Sequence, residues 1–183
     1  MKKINIIGSG TLAKLIVDIL DSSEEYQVGG FYSDDFPSLK EVLGYPVLGK
    51  IDEISTDKSQ YLAIGIGEPK YRKMFYEKYS SLGINLPSII HKSVFISRFC
   101  IVEPGVLIGP NSSVLNGSRI CKASCLLSHV NINQDVVLNP YCLIAAGVVV
   151  GNNAVLGEGC HIGLGSYVKL KQTIPPWTNY PNS

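Results

Sequence analysis

No stretch of this 183-residue chain is apolar for the roughly 20 residues that a membrane-spanning helix needs. The opening MKKINIIG is too short an apolar run for a signal peptide, so a cytoplasmic location with no membrane span is expected. Charge of one sign is also lacking. Lys and Arg total 16 against 15 Asp and Glu, a net charge of +1, which leaves no basic field for nucleic acid and no acidic tail. The five cysteines have no disulfide-framework spacing. The C-terminal half lacks both the 3.6-residue period of a helix and the 2-residue period of an ordinary strand.

What that half has is a period of six. Ile96, Val102, Ile108, Val114, Ile120, Leu126, Ile132, Leu138, Ile144, Val150, Leu156, Ile162 and Val168 form an unbroken series of thirteen aliphatics. Two residues before each stands a small residue: Val94, Cys100, Val106, Ser112 and so on to Cys160 and Ser166. The pattern predicts a parallel β-helix of hexapeptide coils, each sending one large and one small side chain inward. Cys100, Cys142 and Cys160 occupy the small slot and read as core residues rather than metal ligands. Three coils to a turn stack residues eighteen apart, which puts His161 above Leu143. The three histidines, His91, His129 and His161, are separated by 38 and 32 residues, neither a multiple of eighteen, so a three-histidine metal site is not expected.

The N-terminal half reads differently. An apolar strand at 3–8 is followed by Gly8-Ser9-Gly10-Thr11 and a helix over 12–20, with Leu12, Leu15, Ile16, Ile19 and Leu20 on one face. Further strands are expected at 27–32, ending in Ser33-Asp34-Asp35, and at 61–66, ending in Gly65-Ile66-Gly67. A helix opens at Pro69 and runs to about Ser80. This β-α-β order predicts a Rossmann-like α/β domain over 1–89, ahead of a β-helix domain over 90–183. In such sheets ligands bind at the C-terminal strand ends. Gly8, Ser9, Gly10 and Thr11 then present backbone N–H groups and a helix N-terminus to a phosphate, or form only a tight turn. Asp34 and Asp35 are placed to accept hydrogen bonds from a ribose or base, with Gly65 on the neighbouring strand.

Gly8-Ser9-Gly10, Phe31-Tyr32-Ser33-Asp34-Asp35, Ala63-Ile64-Gly65, Ile90-His91-Lys92-Ser93, the repeats and Thr173-Ile174-Pro175-Pro176-Trp177 together resemble the sialic-acid O-acetyltransferase and bacillosamine N-acetyltransferase family. The resemblance implies a left-handed β-helix. It implies a homotrimer that binds a nucleotide sugar or sugar acid in the N-terminal domain and acetyl-CoA between subunits, with no metal. It also implies a histidine general base that deprotonates the sugar amine or hydroxyl.

Matched from the IHKS junction, the family's base slot falls on Gln134, followed by Asp135, and glutamine takes no proton. Matched from Ala145-Ala146-Gly147, it falls on Ser128, followed by His129. His129 is therefore either a relocated base or a surface histidine at a subunit contact. By the same resemblance Leu143, His161, Gly163 and Gly165 lie along the acetyl-CoA groove; otherwise His161 packs near the C-terminal cap and the glycines only form corners. His91, which opens the β-helix after Ile90, reads as a structural tie between the two domains. The tail resembles a loop closing over CoA, shortened here at Pro181-Asn182-Ser183. Leu107, Leu115, Leu127 and Leu143 fall at outward positions of a β-helix of about four turns, an apolar surface expected to lie between subunits. The expected function is a sugar acetyltransferase for surface glycan synthesis. The alternative is a sugar-nucleotide-binding trimer that has lost its base.

Overall fold

The computed structural model describes residues 1–181. The last two residues of the expected CoA-end tail, Asn182 and Ser183, lie outside them.

The N-terminal domain is an open sheet built from β1 (Lys2–Ile7), β2 (Tyr26–Tyr32), β3 (Glu41–Val42), β4 (Tyr45–Gly49) and β5 (Tyr61–Ile64), in the order β3-β4-β2-β1-β5. All pairings are parallel except the β3–β4 hairpin, which the sequence reading missed. Helix α1 (Thr11–Leu20) follows β1, and α2 (Pro69–Ser81) follows β5 with Pro69 in its first turn. The expected apolar face of α1 is present and wider than expected. Ala13, Ile16, Val17, Ile19 and Leu20 are all buried, while Leu12 and Leu15 are partly covered. Thr11, Lys14 and Asp18 form the remaining exposed polar stripe, and the rest of the helix lies between the sheet and the β-helix.

The β-helix opens at β6 (Ile89–Ile90), and two-residue strands then recur every six residues to β21 (Asn179–Tyr180). They stack into three parallel sheets of six, five and five strands, so the stack exceeds five turns rather than the expected four. The repeat extends past its visible ends because Ile90, Ile174 and Tyr180 also pack on the core. The inward aliphatics from Ile108 to Val168 are all 0% exposed. The six-stranded sheet contains β9 (Leu107–Ile108), β12 (Cys125–Leu126), β15 (Leu143–Ile144) and β18 (His161–Ile162). It carries the outward column Ile89, Leu107, Cys125, Leu143, His161, Asn179.

The small slot is more than small. Ser118 Oγ donates to the Asn133 carbonyl at 2.7 Å and accepts from the Val136 N–H at 3.1 Å. Ser112 and Ser124 bridge the coils above them in the same way. The thiols of Cys142 and Cys160 donate to the carbonyls of Gly157 and Pro175. These corner carbonyls, turned inward where water cannot reach, thus find a donor.

Ser118→Ala strands a buried carbonyl and a buried N–H. It is expected to cost about 1–3 kcal/mol, measured by chemical denaturation, with Ser118→Cys costing less because it restores a donor.

Candidate functional site

The N-terminal domain sits directly on the six-stranded sheet. Ile89, Leu107 and Cys125 belong to the same apolar cluster as Ala13, Ile16, Ile19 and Ala63. Burial pushes the Cys125 thiol up to about 11, leaving it without nucleophilic character. Helix α2 seats on the adjoining corner. Tyr76 packs edge-on against Tyr141, and Lys73 reaches Glu158 at 2.7 Å. The Lys92 N–H donates to Ser22 Oγ, so the expected tie at the IHKS junction is made by Lys92, while His91 pairs with Ser93.

Between the domains lies a cavity of about 450 Å³. One wall is the first strand-to-helix turn, Gly8 to Leu12, with Leu15. A second is Gly65-Ile66-Gly67, and the third is Leu127 and Leu143 of the β-helix. Gly8 has φ +96°, a conformation suited to glycine, and its N–H is spent on the Tyr32 carbonyl. Among the described residues the N–H groups of Ser9, Gly10, Ile66 and Gly67 donate to no protein acceptor. Gly10 caps α1 without a side-chain hydrogen bond, and no acidic residue occupies the first turn. The turn can therefore hold an anion on open donors and a favourable helix end. Gly65 is required by closeness: a Cβ there would stand 2.7 Å from that of Ala13 and 2.9 Å from Ile6 Cγ2.

The expected site residues divide into groups. Gly8, Ser9, Gly10, Thr11, Gly65 and Leu143 meet in the cavity. Asp35 joins through a chain: its carboxylate accepts from Ser33 Oγ at 3.4 Å, and Ser33 Oγ lies 2.9 Å from Ser9 Oγ. Asp34 stands apart in an open cleft with Lys50, Asp52 and Lys78, where it accepts the Ile51 N–H. His161 continues the outward column one turn above Leu143, as the spacing predicts. Gly163, two residues further along, heads the corner where His129 and Gly165 also stand, Gly165 two turns above His129. His129 is exposed there at φ +59°, its ring 3.5 Å from the Asn111 amide. Gln134 and Asp135 occupy the next corner of the prism, away from His129 and from this chain's own cavity. Asp135 instead lies over Gly117.

One inference from outward position is corrected. Leu107 is 3% exposed beneath the chain's own N-terminal domain, and Leu127 and Leu143 line the cavity, so these leucines serve the domain contact rather than a subunit face. Leu12, Leu15, Ile66 and Leu127 were not identified as site residues from sequence. Their only signal is apolar character on a surface that a second domain happens to cover.

Residues 3–79 match the family model of the PglD N-terminal domain, and residues 129–164 match that of the bacterial transferase hexapeptide, six repeats. An N-terminal domain of the PglD type is thus followed in this chain by bacterial-transferase hexapeptide repeats. Among solved structures, the acetyltransferase domain of PglB from Neisseria gonorrhoeae, in complex with acetyl coenzyme A, superposes with a TM-score of 0.86 at 22% identity, over 96% of this chain and 85% of that one. PerB from Caulobacter crescentus, in complex with CoA and GDP-perosamine, gives 0.85 at 23% identity over 96% and 84%. WeeI from Acinetobacter baumannii gives 0.73 at 18% over 96% and 94%. At these identities the likeness shows a shared two-domain fold. Among the described residues of this PglD-like chain no group of His, Cys, Asp or Glu is arranged to hold a metal ion, and no helix is long and apolar enough to cross a membrane.

Gly65→Ala is expected to wedge α1 from β5, lowering stability by about 1–3 kcal/mol and closing the cavity. Gly10→Ala, whose Cβ meets nothing within 4 Å, is expected to fold normally. Thermal melts of the two variants side by side check this.

Proposed function

We propose that this chain is an acetyl-CoA-dependent acetyltransferase acting on an amino or hydroxyl group of a nucleotide-linked or sialic-acid-like sugar. The carrying observation is the cavity itself. A glycine turn with free N–H groups on a helix N-terminus faces, across about 450 Å³, the wall of a hexapeptide β-helix. PglB and PerB, of the same fold, were solved with acetyl coenzyme A and with CoA plus GDP-perosamine, respectively.

In this reading the diphosphate rests on the N–H groups of Ser9, Gly10 and Thr11, and Asp35 orients the nucleoside through Ser33. The sugar then extends past Gly65 toward Leu127 and Leu143. Acetyl-CoA lies along the same edge of the β-helix, with its thioester end near Leu143 and His161 and its pantetheine on Gly163 and Gly165. The sugar nitrogen or oxygen attacks the thioester carbon while His129 takes its proton. The tetrahedral oxyanion then collapses, the C–S bond breaks, and the thiolate leaves and regains a proton. Holding both substrates in one cleft supplies much of the rate.

Gln134 and Asp135 face away from this chain's own cavity, so they act, if at all, at a neighbouring subunit's cleft in a homotrimer. The uncovered β-helix faces bear exposed Phe95, Ile101 and Tyr167, apolar surface that a closed threefold ring would bury. A second reading, a sugar-nucleotide-binding trimer without turnover, is favoured by the glutamine at one of the two base slots and by a His129 ring whose only side-chain partner is Asn111.

Thiol release from acetyl-CoA, measured with a panel of nucleotide amino sugars and sialic acids, is expected for the wild type. His129→Ala is expected to lower it by roughly 10²-fold or more. Binding of a nucleotide sugar without release for any acceptor supports the second reading. Light scattering that finds a monomer near 19.9 kDa contradicts the trimer.

A further inference from the structure

Arg72 is the most deeply buried charged residue of the fold, 1% exposed, and it has no acidic partner among the described residues. Its position on α2 follows from the helical pattern, since Arg72, Phe75, Tyr76 and Tyr79 form one buried face. An arginine among aromatics should be costly there, and it persists by donating to three backbone carbonyls. Nη1 donates to Ile64 O at 2.7 Å and Ile66 O at 3.1 Å, and Nε donates to Ala123 O at 3.0 Å.

Those three carbonyls are not equivalent. Ile64 ends β5 and Ile66 lies just beyond it, so one nitrogen draws together the two carbonyls that bracket Gly65. Pulling both toward the guanidinium fixes the bend from which the unpaired N–H groups of Ile66 and Gly67 emerge at the cavity wall. The third carbonyl belongs to the β-helix, at a corner residue with φ +52° that immediately precedes β12, one turn below β15. Leu127 and Leu143, on those coils, form the opposite wall. A single planar fork therefore registers the two walls of the cavity against each other. Lysine could not do so, because a point ammonium does not present two fixed donor directions.

We propose that Arg72 is a positioning residue for the nucleotide-sugar half of the site. It holds the Gly65-Ile66-Gly67 bend and the β-helix wall in the binding geometry before any ligand arrives. The inference rests on the proposed use of the cavity as a nucleotide-sugar site, and it predicts a division between substrates. The nucleotide sugar meets the walls Arg72 sets, whereas acetyl-CoA lies along the β-helix edge beyond them.

The test compares wild type, Arg72→Lys and Arg72→Gln in steady-state acetyl transfer and in direct calorimetry with a nucleoside diphosphate. The folded state of each variant is followed by thermal melting. A tenfold or larger rise in the nucleotide-sugar KM and in the diphosphate Kd is expected, with the acetyl-CoA KM within about twofold of wild type, and with Lys no better than Gln. Unchanged nucleotide-sugar KM and Kd in a folded variant overturn the proposal. So does an equal rise in both KM values, which marks a purely structural role. If neither variant folds, backbone order parameters of the ligand-free wild type decide: Ile66 and Gly67 near 0.85, as rigid as β5, support pre-organisation, and values below about 0.6 overturn it. Wild-type protein that binds the diphosphate but transfers no acetyl group removes the enzymatic reading and leaves the calorimetric arm as a test of Arg72. Wild-type protein that binds no diphosphate overturns the proposal together with the nucleotide-sugar site.

Discussion

The seating of the α/β domain on one face of the β-helix is the constraint on which everything else depends. Ile89, Leu107 and Cys125 point outward from the six-stranded sheet and would be an exposed apolar ladder if the β-helix stood alone. Helix α1 covers them with a widened apolar face, keeping only the stripe of Thr11, Lys14 and Asp18 exposed. Further up the same sheet the cover ends, at Leu143 and then His161. The cavity exists at that margin, where one wall has risen above its neighbour's contact. A site of this kind belongs to neither domain, and moving either domain by an ångström would reshape it.

Much of the fold could be read directly from residue spacing. The six-residue series from Ile96 to Val168 gives the coils and their eighteen-residue stacking, and with them the position of His161 over Leu143. Gly8 and Gly65 were legible as strand-end glycines, and the structure supplies their reasons, a turn at φ +96° and a Cβ clash with α1. The β3–β4 hairpin was not, since a two-residue strand and a five-residue strand around Leu43-Gly44 are too short to carry a distinct period. Nor was the length of the stack: its end coils use Ile90 and Tyr180, whose inward roles show only once neighbouring coils are in place.

The site was half legible for a related reason. Residue type and strand end point to Ser9, Gly10 and Asp35, because those are local properties. Which side of the β-helix a second domain covers is a tertiary property, and no local pattern in Leu107 or Leu127 distinguishes a domain contact from a subunit contact. The same limit separates His129 from Asp135. They are six residues apart in sequence, and one coil advance moves a residue to a different corner of the prism. Arg72 gave only a helical-face signal, and the meaning of that signal came from the three carbonyls it meets.

The central claim is that the glycine turn and the β-helix wall together hold a nucleotide sugar. The most direct measurement is a crystal structure of the protein soaked with a nucleoside-diphosphate sugar. The account predicts density for the diphosphate on the N–H groups of Ser9 to Thr11, with the sugar directed at Leu127 and Leu143. Density in the cleft of Asp34, Lys50 and Lys78 instead, with the glycine turn empty, would contradict it.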